Sequence, residues 1–231
     1  MKSHIYLIPC PIADEALHTL SPSILEAVKQ CEVFFVEEER TARRFLKKIW
    51  RDMVIDNYEW VVLNKENNLK AIKTFINVGK TIGIISEAGC PGVADPGQDV
   101  IKVAQEMDCI VHPLVGPNAI LLALMASGMN GQHFQFVGYL PIDIGKRIAA
   151  IKALEAESTQ KKSTQIFIET PYRNNQMFQS LVSHLKPTTL LCVAAEITSP
   201  NEFIKTMTAS DWKSNIPELH KKPVIFLVLG L

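Results

Sequence analysis

The stretch Ile82-Gly83-Ile84-Ile85-Ser86-Glu87-Ala88-Gly89-Cys90-Pro91-Gly92-Val93-Ala94-Asp95-Pro96-Gly97 decides how the rest of the chain is read. Ile82, Ile84 and Ile85 form a short apolar strand after Gly79-Lys80-Thr81, and three glycines and two prolines then fall between Gly89 and Gly97. Helical spacing resumes at Gln98, with Val100, Ile101, Val103 and Ala104 as the apolar side. Strand, rigid glycine-rich loop and helix, in that order, bring backbone N–H groups close to a small ligand. Asp95-Pro96 predicts an N-cap followed by proline at the first helical position. The loop is longer than most strand-to-helix connections, and ordered loops of that length are more often functional. No Gly-Lys-Ser/Thr follows, which argues against a Walker-type triphosphate site.

Towards the N-terminus, His4–Ile8 is predicted as a buried first strand followed by the turn Pro9–Asp14. A helix begins near Ser21-Pro22 and carries Ile24, Leu25 and Val28 inward; Cys31–Val36 is the second strand, ending in Glu37-Glu38-Glu39-Arg40. The next helix holds Arg40, Arg43, Arg44, Lys47, Lys48 and Arg51. Arg40, Arg44, Lys47 and Arg51 share one face, and Phe45, Leu46 and Ile49 supply the other. A basic row of this kind is by itself more often a solvated face than a nucleic-acid surface. Asn64–Asn68 is predicted as a polar loop, and Leu69–Val78 as a helix burying Ile72, Phe75 and Ile76.

Beyond the opening stretch, Ile110–Leu114 is a strand, and Asn118 is placed to cap a helix over Ala119–Ser127. Strand and helix alternate to this point, which predicts an α/β domain over 1–115 with a mostly parallel sheet and helices on both faces. The loops Pro9–Asp14, Glu37–Arg40, Glu87–Gly97 and Gly116–Asn118 all follow strands, so they should gather at one edge, where such sheets bind ligands. The second half changes character. Strands at Phe134–Tyr139, Gln165–Glu169, Leu190–Ala195, Phe203–Thr208 and Val224–Leu229 accompany helices at Lys146–Glu157 and from Thr170-Pro171 to Leu185. Consecutive strands with short connections imply antiparallel pairs, hence a second α/β domain, 116–231, with a mixed sheet.

Composition narrows the class. The 231 residues carry 24 basic and 24 acidic side chains, so no global field draws the chain to nucleic acid or membrane. Cys10, Cys31, Cys90, Cys109 and Cys192 are odd in number and never closely paired, a reduced intracellular pattern. The six histidines show no ligand spacing, so no metal site is expected. The longest apolar run, Ala119–Ala126, is far below a membrane span, and Ile5–Ile8 is too short for a signal peptide. A soluble cytoplasmic protein is expected.

Ser86–Gly97 resembles the Ser-Asp-Ala-Gly-Thr-Pro-x-x-Ser-Asp-Pro-Gly signature of the tetrapyrrole-methylase superfamily, the class III S-adenosylmethionine-dependent methyltransferases, and within it the branch acting on small-subunit ribosomal RNA. Further motifs follow in order. Leu7–Ile12 stands where the branch has Thr-Pro-Ile-Gly-Asn, and Glu37–Arg40 resembles its Glu-Asp-Thr-Arg. Leu114–Ala119 is similar to Pro-Gly-Pro-Ser-Ala, and Gly138–Pro141 to Gly-Phe-Leu-Pro. Glu169–Arg173 resembles Glu-Ser-Pro-His-Arg, and Ala195–Thr198 the Glu-Leu-Thr core of Arg-Glu-Leu-Thr-Lys.

The resemblance implies a two-domain methyltransferase, usually a homodimer, with S-adenosylmethionine in a cleft between the domains. It implies cofactor contacts from Pro9, Glu87, Ala88, Gly89, Cys90, Val93, Ala94, Asp95, Pro117, Asn118, Ala119, Tyr139 and Glu169. Small-subunit ribosomal RNA is the implied partner, through Arg40, Arg43, Arg44, Lys47 and Arg173, with 2′-O-methylation of a cytidine as the reaction. Ala13 and Asp14 replace the branch's glycine and asparagine, Cys90 a threonine and Tyr172 a histidine. Ala195 and Ser199 stand where it has arginine and lysine. These departures leave two alternatives open: methylation of a tetrapyrrole or other small molecule, and a catalytically silent cofactor-binding homologue.

Methyl transfer from a sulfonium is an in-line displacement, so alignment and water exclusion supply most of the catalysis. A ribose hydroxyl must still lose its proton. Among the acids in matching motifs, Glu87, Asp95 and Glu196 are the candidate bases. Glu37 and Glu38 read equally well as caps of the basic helix. Cys90 invites a nucleophile role, but no base accompanies it.

Overall fold

The computed structural model describes residues 2–63 and 68–231. The predicted loop at Asn64–Asn68 lies outside them except for Asn68. The chain divides into two units, Met1–Asn118 and Ala119–Leu231.

In the first unit the strands are β1 (His4–Ile8), β2 (Val33–Val36), β3 (Glu59–Val62), β4 (Ile82–Ile85) and β5 (Ile110–Pro113). The helices are α1 (Ser23–Gln30), α2 (Glu39–Ile49), α3 (Asn68–Asn77) and α4 (Gln98–Glu106). The sheet order is β3-β2-β4-β1-β5, and its four pairings are parallel. β2 and β4 are buried at every residue, as expected where helices cover both faces of a parallel sheet. Alternation along the strands sorts the core. Tyr6, Ile8, Phe34, Val36 and Ile85 pack with α1 and α2. Ile5, Val33, Phe35, Ile82 and Ile84 pack with α3 and α4 on the other face. In α2, Ala42, Phe45 and Leu46 form the buried stripe at i, i+3, i+4.

The second unit carries α5 (Ala119–Ser127), β6 (Phe134–Tyr139), α6 (Ile144–Lys161), β7 (Thr164–Ile168) and α7 (Asn174–His184). It continues with β8 (Leu190–Ala195), β9 (Phe203–Thr208), α8 (Ala209–Trp212) and β10 (Val224–Leu229). Its sheet order is β6-β7-β10-β8-β9. β6 and β7 run parallel, and the other three pairings are antiparallel, so the sheet is mixed. α6, α7 and α8 cover one face around Phe167, Phe226 and Trp212. α5 covers the other face against Ile166, Cys192, Ala194 and Leu227.

α6 opens at Ile144 rather than Lys146, capped by Asp143, and two further helix starts differ from expectation for tertiary reasons. α4 begins at Gln98 with Gly97 at its N-cap, and Asp95 does not cap it. Asp95 Oδ1 instead accepts the N–H groups of Gly92 (2.9 Å) and Gly97 (2.8 Å), folding the loop on itself. α7 begins at Asn174, not at Thr170-Pro171. There the Thr170 carbonyl accepts Arg173 N–H in a turn and the Pro171 carbonyl accepts Lys221 N–H, so the segment is anchored to its neighbour before the helix starts. β3 adds a strand that the sequence pattern had left unassigned.

Candidate functional site

Parallel order puts the ends of β1, β2, β4 and β5 at one edge, and the four loops leaving them are tied together there. Cys10 N–H donates to Gly89 O (2.9 Å) and Gly89 N–H to Cys10 O (3.0 Å), an antiparallel bridge between the β1 and β4 loops. Glu87 N–H donates to Glu37 Oε1 (3.1 Å), joining the β4 loop to the β2 loop. The Cys90 thiol reaches Pro117 O at 3.4 Å, joining it to the β5 loop. Gly116 closes the ring. A Cβ there would lie 2.3 Å from Pro9 Cβ and Cγ, so only glycine allows the β1 and β5 loops to touch. Gly89, at φ +73°, makes the turn that sets the bridge. Adjacent strands β1 and β4 feed helices on opposite faces, the arrangement that opens a ligand crevice at this edge of an α/β sheet.

Of the residues singled out in the sequence, Pro9, Glu87, Ala88, Gly89, Cys90, Val93, Ala94, Asp95, Pro117 and Asn118 all belong to these loops. Ala94 holds the left-handed conformation at φ +60°, a strained value for a residue with a side chain and one found disproportionately at ligand sites. Three carboxyls crowd this edge. Burial raises Glu37, opposed by the Glu87 N–H, with the charge of Asp95 adding a smaller rise. Glu87 is raised by its desolvation and by the charges of Glu37 and Glu38, while the Glu38 backbone and the Thr41 hydroxyl pull it down. Burial raises Asp95 against its two N–H donors. Glu38 spends its carboxylate on Arg40 N–H as the N-cap of α2 (3.1 Å). Burial also pushes the Cys10 and Cys90 thiols up, which keeps both neutral; Cys90 is a brace between loops rather than a nucleophile.

The edge fits S-adenosylmethionine by the chemistry of its groups. Looped backbone offers donors and acceptors, the partly exposed Val93 and strongly exposed Val115 offer apolar wall, and the carboxyls offer counter-charge to a sulfonium. Among the described residues no group of three or more His, Cys, Asp or Glu could hold a metal ion. No described helix is long and apolar enough to cross a membrane.

A cavity of about 290 Å³ opens beside this edge, between the β1 loop, α2 and Ser86-Glu87. The basic residues of α2 divide around it. Arg44 and Lys48 line the cavity. Arg43 pairs with Glu39 (2.5 Å) and lies 5.1 Å from the Trp60 ring centroid. Lys47 donates to the carbonyls of Arg51 (2.5 Å) and Met53 (2.9 Å), closing the end of the helix. Helical spacing alone could not show this division. Leu17, Thr41 and Ala42 line the cavity without standing in any of the sequence motifs, and Lys48 stands only in the basic helix.

The remaining candidates belong to the second unit and meet at one edge of its sheet. Tyr139 pairs with Ile168, Ile168 with Ile225, and Val224 with Ala195, so Tyr139, Glu169 and Glu196 stand at the same edge, the start of β10 separating the strands that lead to the last two. The Glu169 side chain is fully buried; its Oε1 accepts Thr170 N–H (2.6 Å) and Arg173 Nε (3.0 Å), and its Oε2 has no hydrogen-bond partner among the described residues. Glu196 faces Lys222 at 3.0 Å and, like Thr198, has a left-handed backbone. Ala119 opens α5.

Residues 4–212 match the family model of tetrapyrrole (corrin/porphyrin) methylases. The chain is 30% identical over 172 residues to the ribosomal RNA small subunit methyltransferase I of Halalkalibacterium halodurans, covering 74% of this chain and 57% of that protein. It is 32% identical over 181 residues to the protein of that name from Micromonospora olivasterospora, covering 78% and 55%. It is 26% identical over 235 residues to that from Escherichia coli O157:H7, covering 99% and 78%. The chain thus spans little more than half the length of the first two relatives. Among solved structures, the methyltransferase CobJ matches with a TM-score of 0.63 at 16% identity, covering 100% of this chain and 95% of that one. Uroporphyrin-III-C-methyltransferase from Thermus thermophilus matches with 0.58 at 15%, covering 99% and 93%. At these identities the two structures share the fold.

Proposed function

We propose the activity from one premise: the chain belongs to the tetrapyrrole (corrin/porphyrin) methylase family. In this proposal it is an S-adenosylmethionine-dependent methyltransferase that methylates the ribose 2′-hydroxyl of a cytidine in small-subunit ribosomal RNA. The observation that carries it is the ring of four loops at the β1–β4 edge, closed by the Cys10–Gly89 bridge and the Gly116–Pro9 contact. The names of the relatives support ribosomal RNA as the substrate class.

The loops from Pro9, Glu87–Cys90 and Gly116–Asn118 would hold the cofactor through backbone groups, with Val93 and Val115 as apolar wall. When bound, S-adenosylmethionine supplies an electrophilic methyl group and leaves as a neutral thioether, so the chain must orient the acceptor, exclude water and take one proton. Glu87 is the base best placed for that proton. It borders the cavity, and its raised pKa brings it closer to the working pH of a base than an ordinary carboxylate. Asp95 is spent on the loop and Glu196 faces Lys222.

A homodimer belongs to the same proposal. α5 is apolar on every side; it buries Ala123 and Leu124 and exposes Leu121 and Met125, a face for a second copy. Light scattering on the purified chain checks it. The activity itself is tested with labelled cofactor and small-subunit particles from cells lacking the gene. Incorporation blocked by a 2′-O-methyl group at the acceptor cytidine supports the assignment. Cofactor binding without incorporation removes it, and tight corrinoid titration in its place would move the substrate to a tetrapyrrole.

A further inference from the structure

We propose that the cavity beside α2 is the acceptor-nucleotide pocket, with Arg44 and Lys48 gripping the phosphate, while Arg43 and Lys47 of the same helix make no RNA contact. The inference rests on the RNA reading above and adds to it a place and a division of labour. At about 290 Å³ the cavity sits at the small end of ligand sites. A pocket on that scale suits a single nucleoside.

Its walls match the parts of a nucleotide. Pro11, Leu17 and Phe45 give an apolar side for a flat base, and Glu87 lies at the rim shared with the cofactor loops. Arg44 and Lys48 stand four residues apart, one helical turn, so both charges address the same opening. Neither forms an ion pair within the described residues, and both are exposed. Their neighbours one position back are occupied. Arg43 is held by Glu39 and Trp60, and Lys47 by the carbonyls of Arg51 and Met53. A basic surface that worked by charge alone would use all four side chains alike. All four border a shallow outer groove, but only Arg44 and Lys48 also line the cavity, while Arg43 and Lys47 are tied to neighbours.

Two charge-matched double variants separate these cases, R44Q/K48Q and R43Q/K47Q, with the binding of small-subunit RNA measured across a salt series. For R44Q/K48Q the slope of log affinity against log salt should flatten by about 0.7 to 0.9, one neutralised phosphate's worth, with the melting temperature and cofactor affinity kept. For R43Q/K47Q the slope should hold while the melting temperature drops. Equal flattening in both variants would make the helix a diffuse basic face and overturn the pocket, as would an unchanged slope in R44Q/K48Q. Wild-type protein is the control for the premise: if it neither binds nor methylates the RNA, the RNA reading and the pocket fall together. If it does both and R44Q/K48Q retains its slope, the pocket alone falls.

Discussion

Gly116 shows how much of the site rests on one missing atom. Its Cβ would sit 2.3 Å from two ring carbons of Pro9, and neither partner can yield, because Pro9 is buried at the end of β1. Gly116→Ala should therefore spread the β1 and β5 loops. We expect a loss of about 1–3 kcal/mol in stability, the usual cost of overpacking, and at least about a tenfold loss of cofactor affinity, since 1.4 kcal/mol is a factor of ten. Gly131→Ala, where a Cβ meets nothing within 4 Å, is the matched control. Calorimetry and thermal melting on both variants decide it; normal cofactor binding in Gly116→Ala would show that the loop contact does not shape the site. Glu87 makes a second prediction at this scale. Because its pKa is raised above the ordinary 4.5, log kcat/KM should climb with pH to a midpoint above that value and then level off. Glu87→Gln should abolish the climb along with most of the rate. A pH-independent rate in the wild type would remove Glu87 as base.

Elements were legible where one force dominated. The all-parallel first sheet followed from apolar runs such as Ile82–Ile85 separated by helical spacing. The mixed second sheet followed from strands too close together for a crossover. Boundaries failed where a tertiary bond outweighed a local signal. Asp95-Pro96 carries the pattern of a cap, yet the Asp95 carboxylate serves Gly92 and Gly97, and the helix starts later. β3 is not legible in the sequence because Glu59-Trp60-Val61-Val62 is only half buried at the sheet's edge and has no clean alternation. The grouping of the α2 cations was legible only in part: Arg43 pairs with Glu39 four residues back in the same helix, whereas its contact with Trp60 and the Lys47 bonds to Arg51 and Met53 depend on residues outside the helix. These bonds are testable at the scale of the element. Asp95→Ala strands two partly buried N–H groups at the entry to α4 and should cost about 1–3 kcal/mol. Asp95→Asn, which keeps an acceptor oxygen, should recover most of that. Equal losses in the two variants would point to the charge of Asp95, not its hydrogen bonds, as the source.

Across the whole molecule, charge is balanced, with 24 residues of each sign, so electrostatics acts only where the fold concentrates it. It does so at the loop edge, where Glu37, Glu87 and Asp95 all have raised pKa values. For each, the folded protein favours the protonated form. The stability they contribute is therefore fully present below the ordinary values of 4.5 and 3.8, and it is lost as pH rises through the raised ones. A ligand carrying positive charge at this edge reverses the preference, because it favours the ionised carboxyls. S-adenosylmethionine carries a sulfonium, whereas its demethylated product has a neutral sulfur and otherwise the same groups. The ratio of their affinities should then rise with pH over the window just above those ordinary values. The expected gain is about 1 kcal/mol, roughly fivefold, taking a charge pair about 4 Å apart screened as in bulk water. Glu37→Gln should reduce that gain while leaving the product's affinity nearly unchanged. Paired titrations with cofactor and product from about pH 4 to about pH 8 read the ratio directly. A ratio constant over that range would mean that the carboxyl cluster does not face the sulfonium, and the cofactor would have to be placed elsewhere on the loop edge.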